Sequence, residues 1–281
     1  MAELNYKDAN LAHHNFHKAN LKGAVFAHAN LSHADLSDAD LTDADLTGAI
    51  LHGANLFRAN LRGARLWHTD LSVSNLTEAD LTGADFVEAK LHGVRFWRTD
   101  LENARFLGKK NFDSGKGFHR MRIDEKSPRA AEEGYRELKK YFLLHGKYDD
   151  ASWASYREKC MEMRSLLKKK DPSFMPSFLM NILCGYGEIP HRVMWVALGL
   201  IFFYALLFRG FGSLHSSTSQ VFTPSFGGYL YFSIVTFTTL GYGDFIPADS
   251  LSRLLAGSEA FLGIFTIGLF VFTLGRRYSA R

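Results

Sequence analysis

Residues 34–49, "ADLSDADLTDADLTGA", repeat themselves every five positions. Alanine opens each unit, aspartate follows, leucine is third, and two small or polar residues complete it. Neither regular element has this period, since a helix turns every 3.6 residues and a strand alternates every two. A chain that buries every fifth side chain needs some other regular path, one that stacks repeating units.

The pattern extends far beyond these residues. From Tyr6 in steps of five through Leu11, Phe16 and Leu21 to Leu101 and Phe106, all 21 positions are Leu, Phe or Tyr. The residue two places earlier is mostly Ala, and the residue between is mostly Asn or Asp.

Over all 281 residues the composition looks ordinary, 47% hydrophobic and 22% charged. That average conceals three unlike stretches. Residues 1–107 hold 14 acids and 10 bases, and residues 108–192 hold 12 acids and 18 bases. Residues 193–281 hold three acids and five arginines among long apolar runs. The two cysteines, Cys160 and Cys184, stand in unrelated contexts, which excludes a disulfide framework and suits a reducing compartment. The start is polar from Ala2 onward, so no signal peptide is expected.

The five-step run is similar to the pentapeptide-repeat family over residues 4–108, and residues 1–108 read as one domain. The resemblance implies a right-handed, four-sided β-helix with four repeats per coil, the Leu and Phe positions stacked inside, and coils about 4.8 Å apart. Some members of that family mimic DNA with a strongly acidic surface. Here Asp35, Asp38, Asp40, Asp43 and Asp45 cluster among many bases, so nucleic-acid mimicry is not expected. The expectation is a rigid scaffold, or a docking surface for a cytoplasmic protein partner. Eight of the 12 histidines lie here, and His13 and His33, 20 residues apart, should stack on adjacent coils.

Residues 109–190 read as a helical connector. Ser127 can cap a helix that starts at Pro128 and carries Tyr135, Leu138 and Phe142 on one face until His145-Gly146 stops it. Asp150 can cap a second helix with Trp153, Tyr156, Cys160, Met163 and Leu167 on one face, ended by "KKKDP" at 168–172. "SFMPSFLMNIL" is short and apolar, fitting the membrane interface or the underside of the next segment. Gly-Tyr-Gly at 185–187 directly precedes Pro190 and reads as a bend.

Residues 191–281 contain two stretches able to cross a bilayer, 193–208 and 254–274, the second with one acid, Glu259. Lys168, Lys169, Lys170 and Arg192 precede the first, and Arg276, Arg277 and Arg281 follow the second, which places both termini in the cytoplasm. Between the spans, an apolar helix too short to cross leads into "VTFTTLGYGDF" at 235–245. Irregular backbone at membrane depth is tolerated only where it lines a cavity. Gly241 and Gly243 permit positive φ, so carbonyls can turn one way and replace the water shell of a monovalent cation. Glu259 is expected to hydrogen-bond near the base of the short helix.

"TTLGYGD" is similar to the filter of the potassium-channel pore family, and the resemblance covers residues 193–275. It implies that potassium is coordinated by the carbonyls of Thr239, Leu240, Gly241 and Tyr242, with Gly243 completing the filter. Thr238, Asp244, Tyr231, Phe232 and Val235 would support it. Gly263 would be the inner-helix hinge, with Ile267, Val271 and Gly275 toward the gate. Leu240 stands where Val is usual. Val235 stands where some members have a Glu bonded to the filter aspartate, leaving Asp244 without that partner.

The function expected is a homotetrameric potassium channel in the cell membrane, because one loop per chain cannot close a ring. The rivals are a weakly selective cation channel and a membrane-tethered repeat module. No nucleophile–base set, phosphate loop or metal cluster appears in the sequence, so neither catalysis nor a cofactor beyond permeant potassium is expected. With little chain after the inner helix, control is expected from the N-terminal side.

Overall fold

The computed structural model describes residues 4–112, 126–211, 214–216 and 225–279. The chain divides into two compact units, Met1–Met175 and Pro176–Arg281.

In the first unit the pentads coil. Parallel bridges join one residue of each pentad to the residue 20 further on, from Asn5 with Val25 to Asp85 with Arg105, so four pentads make one turn of the coil. Local chemistry explains the motif. The Asp35 carboxylate accepts from the Ser37 amide (3.1 Å) and hydroxyl (2.6 Å), and Asp45 accepts in the same way from Thr47 (3.0 and 2.6 Å). Each Asx residue thus closes the turn that carries the chain to the next side. One residue per pentad adopts the left-handed conformation there, which is why His, Asp and Gly are common at this place.

The leucines from Leu31 to Leu91 along the five-step are fully buried, and the paired alanines leave room beside them. Each such leucine contributes about 1.5–3 kcal/mol. Tyr6, Leu11 and Phe16 are only half-buried, because the first coil has a neighbouring coil on one side.

The inward register does not extend to Phe106, which is 63% exposed while Leu107 is fully buried. The last pentad slips by one residue as the chain turns into a short 3₁₀ segment, Lys109–Phe112. Phe112 is buried, 5.8 Å from the Phe96 ring and 5.4 Å from Trp153.

Helices α1 (Pro128–Leu144) and α2 (Tyr148–Lys168) pack as a hairpin. The hairpin closes the last coil as well as following it. The Tyr141 hydroxyl donates to the Ala104 carbonyl (2.7 Å) and the Lys147 ammonium to the Leu107 carbonyl (2.5 Å). Trp97 donates its indole N–H to Glu133. Burial of the Tyr141 phenol pushes its pKa up to about 12.

Two details of α2 differ from the sequence expectation. The helix starts at Tyr148, before Asp150, whose carboxylate instead accepts the Lys109 amide (3.2 Å) and pairs with its ammonium (3.6 Å). Its buried face is Ala151, Ala154, Ser155, Glu158, Cys160 and Met161, with Leu167 exposed. Buried Glu158 is matched by Arg136 (2.9 Å) and Lys139 (3.2 Å) of α1, so α2 turns toward its partner's cations.

Helix α3 (Phe174–Cys184) is followed by a single 3₁₀ turn at Gly185–Gly187. All three turn residues are left-handed, including Tyr186, so this Gly-Tyr-Gly is a bend. Helix α4 (Pro190–Phe211) and helix α6 (Ser250–Ser279) include stretches long and apolar enough to cross a membrane. Helix α5 (Phe226–Phe237), which is shorter, packs against both. Strands β1 (Leu214–Ser216) and β2 (Phe245–Pro247) pair antiparallel.

Candidate functional site

The site begins where α5 ends. Ring packing aims this helix: Phe232 meets Phe208 of α4 edge-on at 4.9 Å, in a buried cluster with Tyr204 and Leu214. Beyond Phe237 the hydrogen bonds continue, with the amides of Thr238, Thr239 and Leu240 donating to Ile234, Thr236 and Val235, each at 3.0 Å. The Thr238 hydroxyl also donates to the Ile234 carbonyl (2.7 Å). The chain is therefore held tightly up to Leu240 and freed at Gly241.

From there the backbone alternates. Thr239, Gly241 and Gly243 have φ of 57°, 57° and 77°, while Leu240 and Tyr242 are not left-handed. A Cβ on Gly241 or Gly243 would meet nothing within 4 Å, so backbone conformation rather than space calls for glycine. Thr239 takes the same conformation with a β-branched side chain, a strained arrangement of the kind that persists where surroundings enforce it. Its hydroxyl donates to the Thr238 carbonyl (2.7 Å). The C-terminal end of α5, where the helix dipole is negative, lies at the start of this loop and favours a cation.

The structure brings the expected supporting residues together unevenly. Val235 is buried on α5. Tyr231 lies 6.1 Å from the Phe245 ring, with its hydroxyl in hydrogen-bonding contact with the Asp244 carboxylate. The aspartate thus finds a tyrosine where a glutamate is missing. Leu240 and Tyr242 are 59% and 67% exposed on the single chain.

On α6, Gly263 faces the end of α5, and the helix runs unbroken through it. Ile267 lines a small apolar cavity of about 140 Å³ with Val193, Met194, Ala197, Phe237 and Phe270. Val271 is exposed, and Gly275 has open space around it.

Sequence reading passed over Ser233. It is fully buried, and its hydroxyl reaches both the Ile201 carbonyl of α4 and the Glu259 carboxyl of α6. A lone serine in an apolar helix, opposite a lone acid in another, was the available signal.

A short apolar helix thus packs against two helices long and apolar enough to cross a membrane, and it leads into an alternating glycine loop. Residues 190–280 match the ion-channel family model, and residues 7–43, 39–77, 54–93 and 74–108 match the model of pentapeptide repeats. The chain joins a pentapeptide-repeat domain to an ion-channel domain.

Among curated proteins it is similar to two pore potassium channel a of Oryza sativa subsp. japonica, 31% identical over 111 residues that cover 40% of this chain and 26% of the relative. It is also similar to two-pore potassium channel 1 of Arabidopsis thaliana, 40% identical over 75 residues that cover 27% and 18%. The chain thus spans about a quarter or less of these relatives' length. Among solved structures it is similar to HetL, a pentapeptide repeat protein of Nostoc sp. strain PCC 7120, at 30% identity and a TM-score of 0.30, covering 38% of this chain and 58% of that one.

Proposed function

We propose that this chain is one subunit of a homotetrameric membrane channel that conducts potassium ions. Four copies of the 239–243 loop close a ring of carbonyls around one axis, with the loop re-entrant between α4 and α6. Thr239, Leu240, Gly241 and Tyr242 coordinate the ion, Gly243 completes the alternation, and Tyr231 and Asp244 brace it. Gly263, Ile267, Val271 and Gly275 form the moving inner helix. The basic clusters around Lys168 and Arg276 put both termini in the cytoplasm.

The observation that carries this reading is the backbone alternation at Thr239, Gly241 and Gly243 on the loop that follows α5, a helix packed against two long apolar helices. The potassium channels among the relatives support the choice of ion.

Residues 1–108, a right-handed four-sided coil, dock a cytoplasmic protein or regulate the pore. Residues 109–190 transmit, and residues 191–281 conduct. Several of the coil's surface acids pair with bases of an adjacent coil, as in Asp45 with Arg65 (3.2 Å), Glu78 with Arg58 (2.7 Å) and Asp85 with Arg105 (3.4 Å). That neutrality favours a protein partner over mimicry of nucleic acid.

Purified protein in liposomes under a potassium gradient tests the reading. Potassium flux well above sodium flux is expected, abolished by Gly241→Ala. Equal fluxes would leave a weakly selective cation channel, the reading that Leu240 favours, and no flux would leave a tethered repeat module.

A further inference from the structure

We infer that Glu259 is a neutral, protonated carboxyl that positions α5, and with it the loop that follows, through Ser233. The inference starts from a count of hydrogens. The Ser233 hydroxyl oxygen lies 2.8 Å from the Ile201 carbonyl and in hydrogen-bonding contact with Glu259 Oε1. A serine hydroxyl has one hydrogen to donate. If both neighbours only accept, one of the two close oxygen pairs has no hydrogen between its members. A proton on Glu259 Oε1 resolves the conflict: the acid donates to Ser233, and Ser233 donates to Ile201.

Burial points the same way. Ser233 and Glu259 are both fully buried. Among the described residues Glu259 Oε2 has no hydrogen-bond partner, and no cation pairs with the carboxyl. An ionised carboxylate in such surroundings carries a large desolvation cost, which a neutral acid avoids.

The chain of two hydrogen bonds joins α6, α5 and α4 at one level. Beside it, the Tyr204 hydroxyl of α4 and the Ser258 hydroxyl of α6 lie 2.9 Å apart. Glu259 and Gly263 are four residues apart on one face of α6, as Ser233 and Phe237 are on α5. The two helices therefore meet at two successive turns, once through the carboxyl and once through the bare backbone of Gly263. Thr239 follows two residues after the second contact.

The proposal rests on the channel reading only for its functional half, so two measurements are paired. Infrared spectra of the full-length protein in lipid at neutral pH should contain the C=O stretch of a protonated carboxylic acid, absent from the Glu259→Gln variant. In liposomes, Glu259→Gln, which keeps an N–H donor for Ser233, should retain potassium flux and selectivity. Glu259→Ala should lose flux, and Ser233→Ala should lose part of it.

Absence of the band overturns the neutral carboxyl. A band together with full flux from Glu259→Ala overturns its positioning role, as does a band with a dead Glu259→Gln. If the unaltered protein conducts nothing, the channel reading fails with the positioning role, and the infrared band still decides the protonation.

Discussion

The carbonyl of Phe237, the last residue of α5, occupies the space that a side chain on Gly263 would take. A Cβ there would stand 2.9 Å from the Phe237 carbonyl carbon and 3.2 Å from its Cα, with the oxygen closer still. Backbone cannot rotate away as a side chain can. Gly263→Ala should therefore push the end of α5 outward and disturb Thr239, two residues on. The expected outcome is a clear fall in the potassium-to-sodium flux ratio, whereas Gly275→Ala, which meets open space, should leave that ratio unchanged. If glycine served here only as a bending point, opening would change while the ratio held.

The shifted end of the coil gives a paired test in the full-length protein. Leu107→Asp buries a charge without a partner and should cost more than about 2 kcal/mol. Phe106→Asp, on a residue 63% exposed, should change stability by no more than about 0.5 kcal/mol. Denaturant unfolding followed by circular dichroism measures both, and equal costs would restore the uninterrupted five-step.

Acid should loosen the coil. Bonds from the Ser37 hydroxyl and amide hold the Asp35 carboxyl below its ordinary value of 3.8. Burial pushes Asp45 up, but the Thr47 bonds and the Arg65 charge outweigh it, so it too lies below 3.8. Folding thus favours the ionised forms. Their contribution is complete above the unfolded value and is lost as pH falls through the folded ones. The thermal midpoint should drop on acidification below about pH 4, and less steeply in the Ser37→Ala, Thr47→Ala double variant. Parallel curves for the two proteins would show that other groups govern acid stability.

Truncation separates docking from conduction. Removing residues 1–107 alone strips the surface that covers Phe112 and Tyr141, so that protein should aggregate. Removing residues 1–175, a compact unit, should leave ion selectivity unchanged and alter open probability or assembly. Single-channel recording beside the full-length protein checks this, and identical opening under all conditions would exclude control by the repeat unit.

The coil was legible in sequence because one geometric rule acts on every pentad, and so was the left-handed alternation, which Gly241 and Gly243 announce. What escaped depends on partners that a local pattern does not name. Asp150 looked like a helix cap until Lys109 claimed its carboxylate. Phe106 kept the five-step in sequence, but the turn before Phe112 brought Leu107 inside in its place. Strands β1 and β2 have three residues each, too few to establish a period. Ser233 and Glu259 are 26 residues apart, and only the crossing of α5 and α6 joins them.

Because 20 residues return the chain to the same side of the coil, the repeat domain behaves like a protractor as well as a ruler. Inserting one pentad before Leu101 would turn everything upstream by a quarter revolution relative to the hairpin. Inserting four would restore the bearing and only add a rise of about 4.8 Å. The direction in which this domain presents a given face is thus adjustable in quarter-turns, and its reach in single coils, without altering one buried leucine.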